Sequence, residues 1–447
     1  MENFSLILAI VVVTALAFDF TNGFHDTANA MATTISTGAL KPKVAVGMSA
    51  VLNLAGAFLS VEVANTISKG LVDETGIRPE VIFAALVGAI LWNLLTWLVG
   101  LPSSSSHALM GGLIGATIAS AGTGAVHGDV LVTKVLLPAL AAPLVAGIAA
   151  MVATRLSYTV GGTADGKAAK KGYRAGQIAS AGLVSLAHGT NDAQKTMGII
   201  TLALVTGGAL APGSNPPTWV ILSAGTAIAL GTYIGGWRII RTMGTGLTDL
   251  QPQQGFAAQT SAATAILASS HLGFSLSTTH VVSGSVMGAG LGRKGGVVRW
   301  STATQMMIAW MLTLPAAAVV GAGAESVMDL GDWGTAVVAV FLIAAAVTIY
   351  RVSRRQVIDH TNVTDHGQDP AEVLTPTAPT ASTPQITPVT PAVAPVVVAP
   401  VAPVTPVPPV MVPEDLTATI PAPAPAVLPT VAPAPAADQA VPPAAAV

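Results

Sequence analysis

The sequence predicts an all-α polytopic membrane protein built as an inverted repeat, with broken helices and re-entrant helical hairpins. Three observations point there. Hydrophobic residues make up 52% of the chain and charged residues only 9%, against about 25% charge in a soluble domain. Eleven apolar segments follow one another, several as long as the roughly 20 residues that a bilayer-spanning helix needs. Two polar motifs, lodged inside apolar segments, recur in the same order in both halves of the chain. The absence of cysteine excludes disulfides, thiolate-held haem and zinc–cysteine sites. A net charge of −2 singles out no partner; lipid is the expected surrounding and no nucleic acid is expected.

The segments span residues 6–36, 44–61, 81–100, 103–121, 131–154, 176–206, 217–236, 257–273, 277–291, 297–320 and 333–351. The first lacks the basic start and cleavage site of a signal peptide, so it is read as a retained span. Lys41 and Lys43 follow it. Arg155, Lys167, Lys170, Lys171 and Arg174 follow the fifth segment, Arg238 and Arg241 the seventh, Arg293, Lys294 and Arg299 the ninth, and Arg351, Arg354 and Arg355 the last. These connections hold most of the 19 Lys and Arg. The intervening ones carry Glu62, Asp73, Glu74, Asp129, Glu325, Asp329 and Asp332. Alternation of this kind obeys the positive-inside rule. It sets the N-terminus outside and the C-terminal tail in the cytoplasm of a multi-pass plasma (inner) membrane protein. Residues 1–154 and 176–320 form the two membrane repeats, joined by a basic cytoplasmic loop at 155–175. An extra span lies within 321–355. From 356 to 447 proline recurs every few residues, which bars helix and span alike and predicts a disordered, extended tail.

The repeat rests on two motif pairs. Residues 23–29 read GFHDTAN and 189–195 read GTNDAQK, so Gly23 matches Gly189, His25 matches Asn191 and Asp26 matches Asp192. Residues 104–107 read SSSH and 277–280 read STTH, each followed by glycines four and eight residues on. The spacing from Asp26 to His107 nearly equals that from Asp192 to His280. Five segments separate the copies, so they start on opposite sides of the membrane. Inverted repeats of this sort are typical of secondary transporters, with a site near the midplane.

The chemistry follows from the residue types. Asp26 lies deep in an apolar segment, where a charge costs about 2.5–3.5 kcal/mol. Gly23 is expected to break the helix there and free backbone carbonyls. Asn22, His25 and Asn29, with Asp192 and Asn191 in the second copy, then supply oxygen and nitrogen groups for a cation or a proton. Asp19, one turn before Gly23, has no mate in the second copy. Lys195 replaces the counterpart of Asn29 beside Asp192; it either neutralises that acid or attracts an anion. Pro102 favours a helix starting just after it, and serine is a preferred N-cap. Ser104, Ser105 and Ser106 from one half, and Ser277, Thr278 and Thr279 from the other, present hydroxyls and helix N-termini suited to an oxyanion. His107 and His280 are read as buttresses of these hairpins. The glycines Gly111, Gly115, Gly284 and Gly288 are read as packing positions. No residue is assigned to a metal, and no cofactor is expected beyond the coupling cation. A tetrahedral oxyanion that keeps a P–OH group hydrogen-bonds to a buried carboxylate, whereas sulfate, which has none, is repelled.

At NGFHDTANA, HGTNDAQKTMG, PSSSSHALMGG and SLSTTHVVSGSVMGAG the chain resembles the inorganic phosphate transporter family, the low-affinity bacterial permeases and their sodium-coupled eukaryotic relatives. The resemblance spans about residues 5–350. It implies symport of phosphate with a cation, and it sets Asp26, Asn29, Asn191 and Asp192 on the signature polar positions and the two Ser/Thr clusters on the tips that meet the anion. Sodium-coupled relatives have glutamates where this chain has Asn53 and Gln259. That departure implies proton rather than sodium coupling, with phosphate carried alone or as a neutral divalent-metal complex. A homodimer is compatible with the sequence. A sulfate permease of the same family, an anion channel and a membrane-embedded Ser/His/Asp hydrolase are the competing readings.

Overall fold

A computed structural model describes residues 5–70, 72, 77–161, 167–274 and 276–364. The expected tail beyond residue 364, and residues 162–166 of the basic connection, lie outside the described residues.

The described chain is helical, without a strand longer than an isolated bridge. The first half comprises α1 (Leu6–Ser36), α2 (Pro42–Gly56), α3 (Glu62–Gly70), α4 (Pro79–Val99) and α5 (Ser105–Ala121), then a single turn, α6 (Gly128–Val130), that leads through a π-helical stretch (Leu131–Leu136) into α7 (Leu137–Gly161). The second half comprises α8 (Lys167–Thr206), α9 (Thr218–Ile234), α10 (Trp237–Arg241) with a π-helical extension (Thr242–Gly246), α11 (Pro252–His271), α12 (Thr278–Gly292) and α13 (Trp300–Met328); α14 (Asp332–Ser353) follows. Local chemistry sets the ends. Prolines open α2, α4 and α11 in the first turn, where the missing N–H is harmless. Gly100, at φ 72°, closes α4 in the left-handed conformation just ahead of Pro102.

All eleven apolar segments carry helices, but the expectations need four corrections. First, α1 and α8 run unbroken through Gly23 and Gly189. Those glycines serve close approach instead: a Cβ on Gly23 would collide with the Ile228 carbonyl of α9, and one on Gly189 with the backbone of Asn53 in α2. Inside a membrane the helix keeps its own hydrogen bonds for want of any other partner, so glycine does not break it. Second, α3 and α10 were not anticipated. Third, the stretch 155–175 is largely helical, as α7 continues to Gly161 and α8 begins at Lys167. Fourth, only five described helices are long and apolar enough to cross a membrane alone, or six if α9 and the α10 segment, bent by 61°, count as one span. Helices of 15–17 residues such as α2, α5, α9 and α12 reach only about 22–26 Å, short of a hydrocarbon core of about 30 Å.

The interior holds two apolar cores. One takes the first part of α1 (Leu8 to Phe24), α4, the body of α5 and the last part of α8 (Ala193 to Leu204). The other takes the end of α1 (Ala28 to Ile35), the early part of α8 (Ala181 to Ala187), α11 and the body of α12. Helices α1 and α8 therefore pass between the cores in opposite directions. Packing partners recur as well: α5 lies on α4 and α13 as α12 lies on α11 and α7, and α1 crosses α9 as α8 crosses α2. The glycine seams are backbone contacts. A Cβ on Gly111 or Gly115 would strike Leu314 or Ala318 of α13, and one on Gly284 or Gly288 would strike Pro143 or Gly147 of α7.

Candidate functional site

Where α1 and α8 leave one core for the other, their polar residues meet. Asp26 and Asp192 are buried to within 1%, and the N-termini of α5 and α12 come to them from opposite cores. Ser105 Oγ donates to Asp26 Oδ2 at 3.0 Å, and Thr279 Oγ1 donates to Asp26 Oδ1 at 3.3 Å. Thr278 Oγ1 lies between the two acids, 3.1 Å from Asp192 Oδ2 and 3.4 Å from Asp26 Oδ2. Each acid has a polar neighbour one residue back: His25 Nδ1 sits 2.8 Å from Asp26 Oδ1, and Asn191 Nδ2 donates to Asp192 Oδ1 at 2.8 Å. Each also has a partner three residues on that reaches the tip from the opposite half. Asn29 Nδ2 donates to Thr279 Oγ1 at 3.0 Å. Lys195 Nζ donates to Ser106 Oγ and to the Leu276 carbonyl, and forms an ion pair with Asp192.

Ten of the sequence-chosen residues thus converge: Asp26, Asp192, His25, Asn191, Asn29, Lys195, Ser105, Ser106, Thr278 and Thr279. The Lys195 alternatives resolve into a neutralising pair that also holds a hairpin tip. Ser104 and Ser277 are at the tips, but their hydroxyls accept from the N–H groups of His107 (3.2 Å) and His280 (3.3 Å), capping their own helices. Asn22 is buried with no hydrogen-bond partner for its amide. His107 and His280 stack behind the tips with ring centroids 4.9 Å apart, and Trp310 lies 4.3 Å beyond His280.

Two residues, His188 and Thr96, were missed. His188 Nε2 lies 2.9 Å from Asp192 Oδ2 and 3.8 Å from Asp26 Oδ2, bridging the acids, while its Nδ1 pairs with Asn53 Oδ1 at 3.2 Å. Its signal was present: with Gly23 matched to Gly189, His188 falls opposite Asn22. Thr96 and Ser103 meet His25 Nε2 at 3.2 and 3.3 Å, and nothing in the repeat marked Thr96. Metal ligation was not expected, yet ligand atoms of Asp26, His188 and Asp192 lie within 4.8 Å of one another, close enough to share a small cation.

Fold and site together define a helical membrane protein organised around a buried, charged centre. Residues 22–321 match the phosphate transporter family, and the chain belongs to that family. A probable low-affinity inorganic phosphate transporter of Mycobacterium tuberculosis is 54% identical over 360 residues, covering 80% of this chain and 86% of its own. One of Bacillus subtilis is 41% identical over 332 residues, covering 74% and 99%. The solved structure of a sodium-dependent phosphate transporter shares the fold, with a TM-score of 0.66 at 24% identity over 73% of this chain and all of that one. The family consists of transporters, not enzymes, so the hydrolase reading of the Ser, His and Asp residues falls away.

Proposed function

We propose that the protein is a symporter of inorganic phosphate, coupled to protons rather than sodium and working by alternating access between the two halves of an inverted repeat. One observation carries this reading: two acid-bearing helices of opposite direction meet two hydroxyl-bearing helix N-termini in a single buried cluster. Phosphate entering there takes over the hydroxyls of Ser105, Ser106, Thr278 and Thr279 and the free N–H groups of α5 and α12. Its P–OH donates to a carboxylate of Asp26 or Asp192, which a sulfate cannot do. Lys195 and Asn29 tie each acid-bearing helix to the tip that it opposes, so substrate binding is felt by both halves. Two carboxylates face one ammonium, and a further positive charge, brought by the coupling cation, balances the entering anion. Asp26 and Asp192, with His25 and Asn191 holding them, are the coupling groups in this scheme; Asn22 lies along the same face of α1.

The proton is favoured over sodium because neutral amides stand where sodium-coupled relatives have glutamates. Asn53 donates to Thr232 Oγ1 at 2.7 Å while its Oδ1 pairs with His188, and Gln259 donates to the Ala30 carbonyl and to Thr34, so neither adds a negative charge to the centre. Phosphate is taken alone or as a neutral complex with a divalent metal. The alternation of basic connections supports a plasma-membrane protein with its N-terminus outside and its tail in the cytoplasm. The test is labelled phosphate uptake into proteoliposomes with excess sulfate outside. Uptake that is insensitive to sulfate is expected; equal competition by sulfate would make the protein a sulfate permease.

A further inference from the structure

About two helical turns before Asp26, α1 presents a carboxyl group that the scheme above leaves unused. Asp19 is fully buried, and neither of its oxygens has a hydrogen-bond partner among the described residues. Asn22, three residues on along the same helix face, is equally buried and unpartnered at both amide atoms. Thr196 of α8 turns its hydroxyl toward Asp19. These groups form a second polar patch, about 10 Å along α1 from Asp26 at 1.5 Å per residue. It lies on the side of the site nearer the N-terminus. The charged groups facing Asp19 all come from α8: Asp192, His188 and Lys195. The other helices packed on this part of α1 add none nearby. Helix α9 has one ionisable residue, Tyr233, which is exposed, and α4 has only Glu80, in its first turn.

A carboxylate with no fixed donor is costly to bury, whereas a protonated carboxyl is neutral and can itself donate a hydrogen bond. We infer that Asp19 is the carboxyl group that binds and releases the coupling proton, ionising when the proton leaves and becoming neutral when it returns; this inference rests on the symport reading. Asp26 and Asp192 are engaged by hydroxyls, an ammonium and imidazoles, and those contacts are the ones that phosphate displaces. Asp19 touches none of the residues assigned to phosphate. It can therefore take a proton from one side and release it toward the centre without competing with the substrate. The separation also explains why Asp19 has no counterpart in the second copy: one carboxyl serves one proton path.

The experiment separates coupling from binding. Wild-type protein and Asp19→Asn are reconstituted into proteoliposomes. Two quantities are read: accumulation of labelled phosphate on an inside-alkaline pH gradient, and one-for-one phosphate exchange with no gradient. Asp19→Asn is expected to lose accumulation by about tenfold or more, within the usual range of coupling between two sites, and to keep exchange within about twofold of wild type. Accumulation at the wild-type level overturns the inference. So does a parallel loss of both activities in protein of normal thermal stability, which would make Asp19 a binding or structural residue. If Asp19→Asn does not insert, Asp19→Glu carries the test: a folded glutamate variant should accumulate phosphate, and one that exchanges but cannot accumulate overturns the inference. If wild type itself fails to accumulate phosphate on a pH gradient, the symport reading fails instead, and the two failures stay distinct.

Discussion

Replacing Lys195 with methionine tests the electrostatics of the centre. The side chain is 1% exposed and among the largest fully buried ones. Its ammonium pairs with Asp192 and donates to Ser106 and to the Leu276 carbonyl. Methionine fills similar space but leaves Asp192 without its ammonium. Deleting one member of a buried pair costs about 3–5 kcal/mol, chiefly because the other charge is left uncompensated. Asp192 would keep Asn191 Nδ2 at 2.8 Å, Thr278 Oγ1 at 3.1 Å and His188 at 2.9 Å, so the loss should fall near the low end, about 3 kcal/mol. Adding Asp192→Asn removes the stranded charge, and the double variant should recover most of that stability. Uptake should stay absent in both, because neither ties α8 to the α5 tip. Denaturant unfolding in detergent micelles, followed by tryptophan fluorescence, reads the first quantity, and phosphate uptake reads the second. A single variant as stable as wild type, or a double variant less stable than the single, would refute the assigned pairing.

Three further outcomes are expected. Asp26→Asn should insert normally yet accumulate no phosphate; accumulation at the wild-type rate would remove Asp26 from the coupling groups. Gly115→Val should fail to yield folded protein, because its side chain meets the Ala318 carbonyl, while Gly124→Ala, in open space, should purify like wild type; size-exclusion profiles compare them. Truncation after residue 364 should leave uptake intact. Truncation after 352 should destabilise the protein by about 1–3 kcal/mol, since the buried Arg238 loses the Ser353 and Gln356 carbonyls to which it donates, a difference measurable by thermal unfolding.

The repeat made much of this arrangement legible. Matching Asp26 to Asp192 and the two Ser/Thr clusters to each other located ten residues of the centre, because a duplicated polar motif inside an apolar segment has few structural explanations. What the sequence misled on was the backbone. Gly23 looks like a breaker, yet a helix with no water to satisfy its carbonyls stays intact, and Gly23, like Gly189, admits a neighbouring helix instead. Segment hydropathy likewise overstated the spans. Apolar composition marks burial among other helices as readily as burial in lipid, and α5 and α12 are buried in the protein. His188 was hidden because the residue at its matched position, Asn22, is of a different type. Asn22 and His188 share a register but not a side chain, and their roles have diverged: one is unpartnered, the other bridges both acids. Which of neighbouring hydroxyls caps its own helix and which reaches the acids, as with Ser104 against Ser105, depends on a dihedral angle that the sequence does not carry.

The central claim is that phosphate and a proton use one buried centre together. Proteoliposomes with independently imposed pH and sodium gradients test it most directly. An inside-alkaline pH gradient is expected to drive labelled phosphate in against its concentration gradient, Asp26→Asn to abolish this, and a sodium gradient alone to drive nothing. Accumulation driven by sodium with no response to pH, or equal flux through wild type and Asp26→Asn, would contradict it.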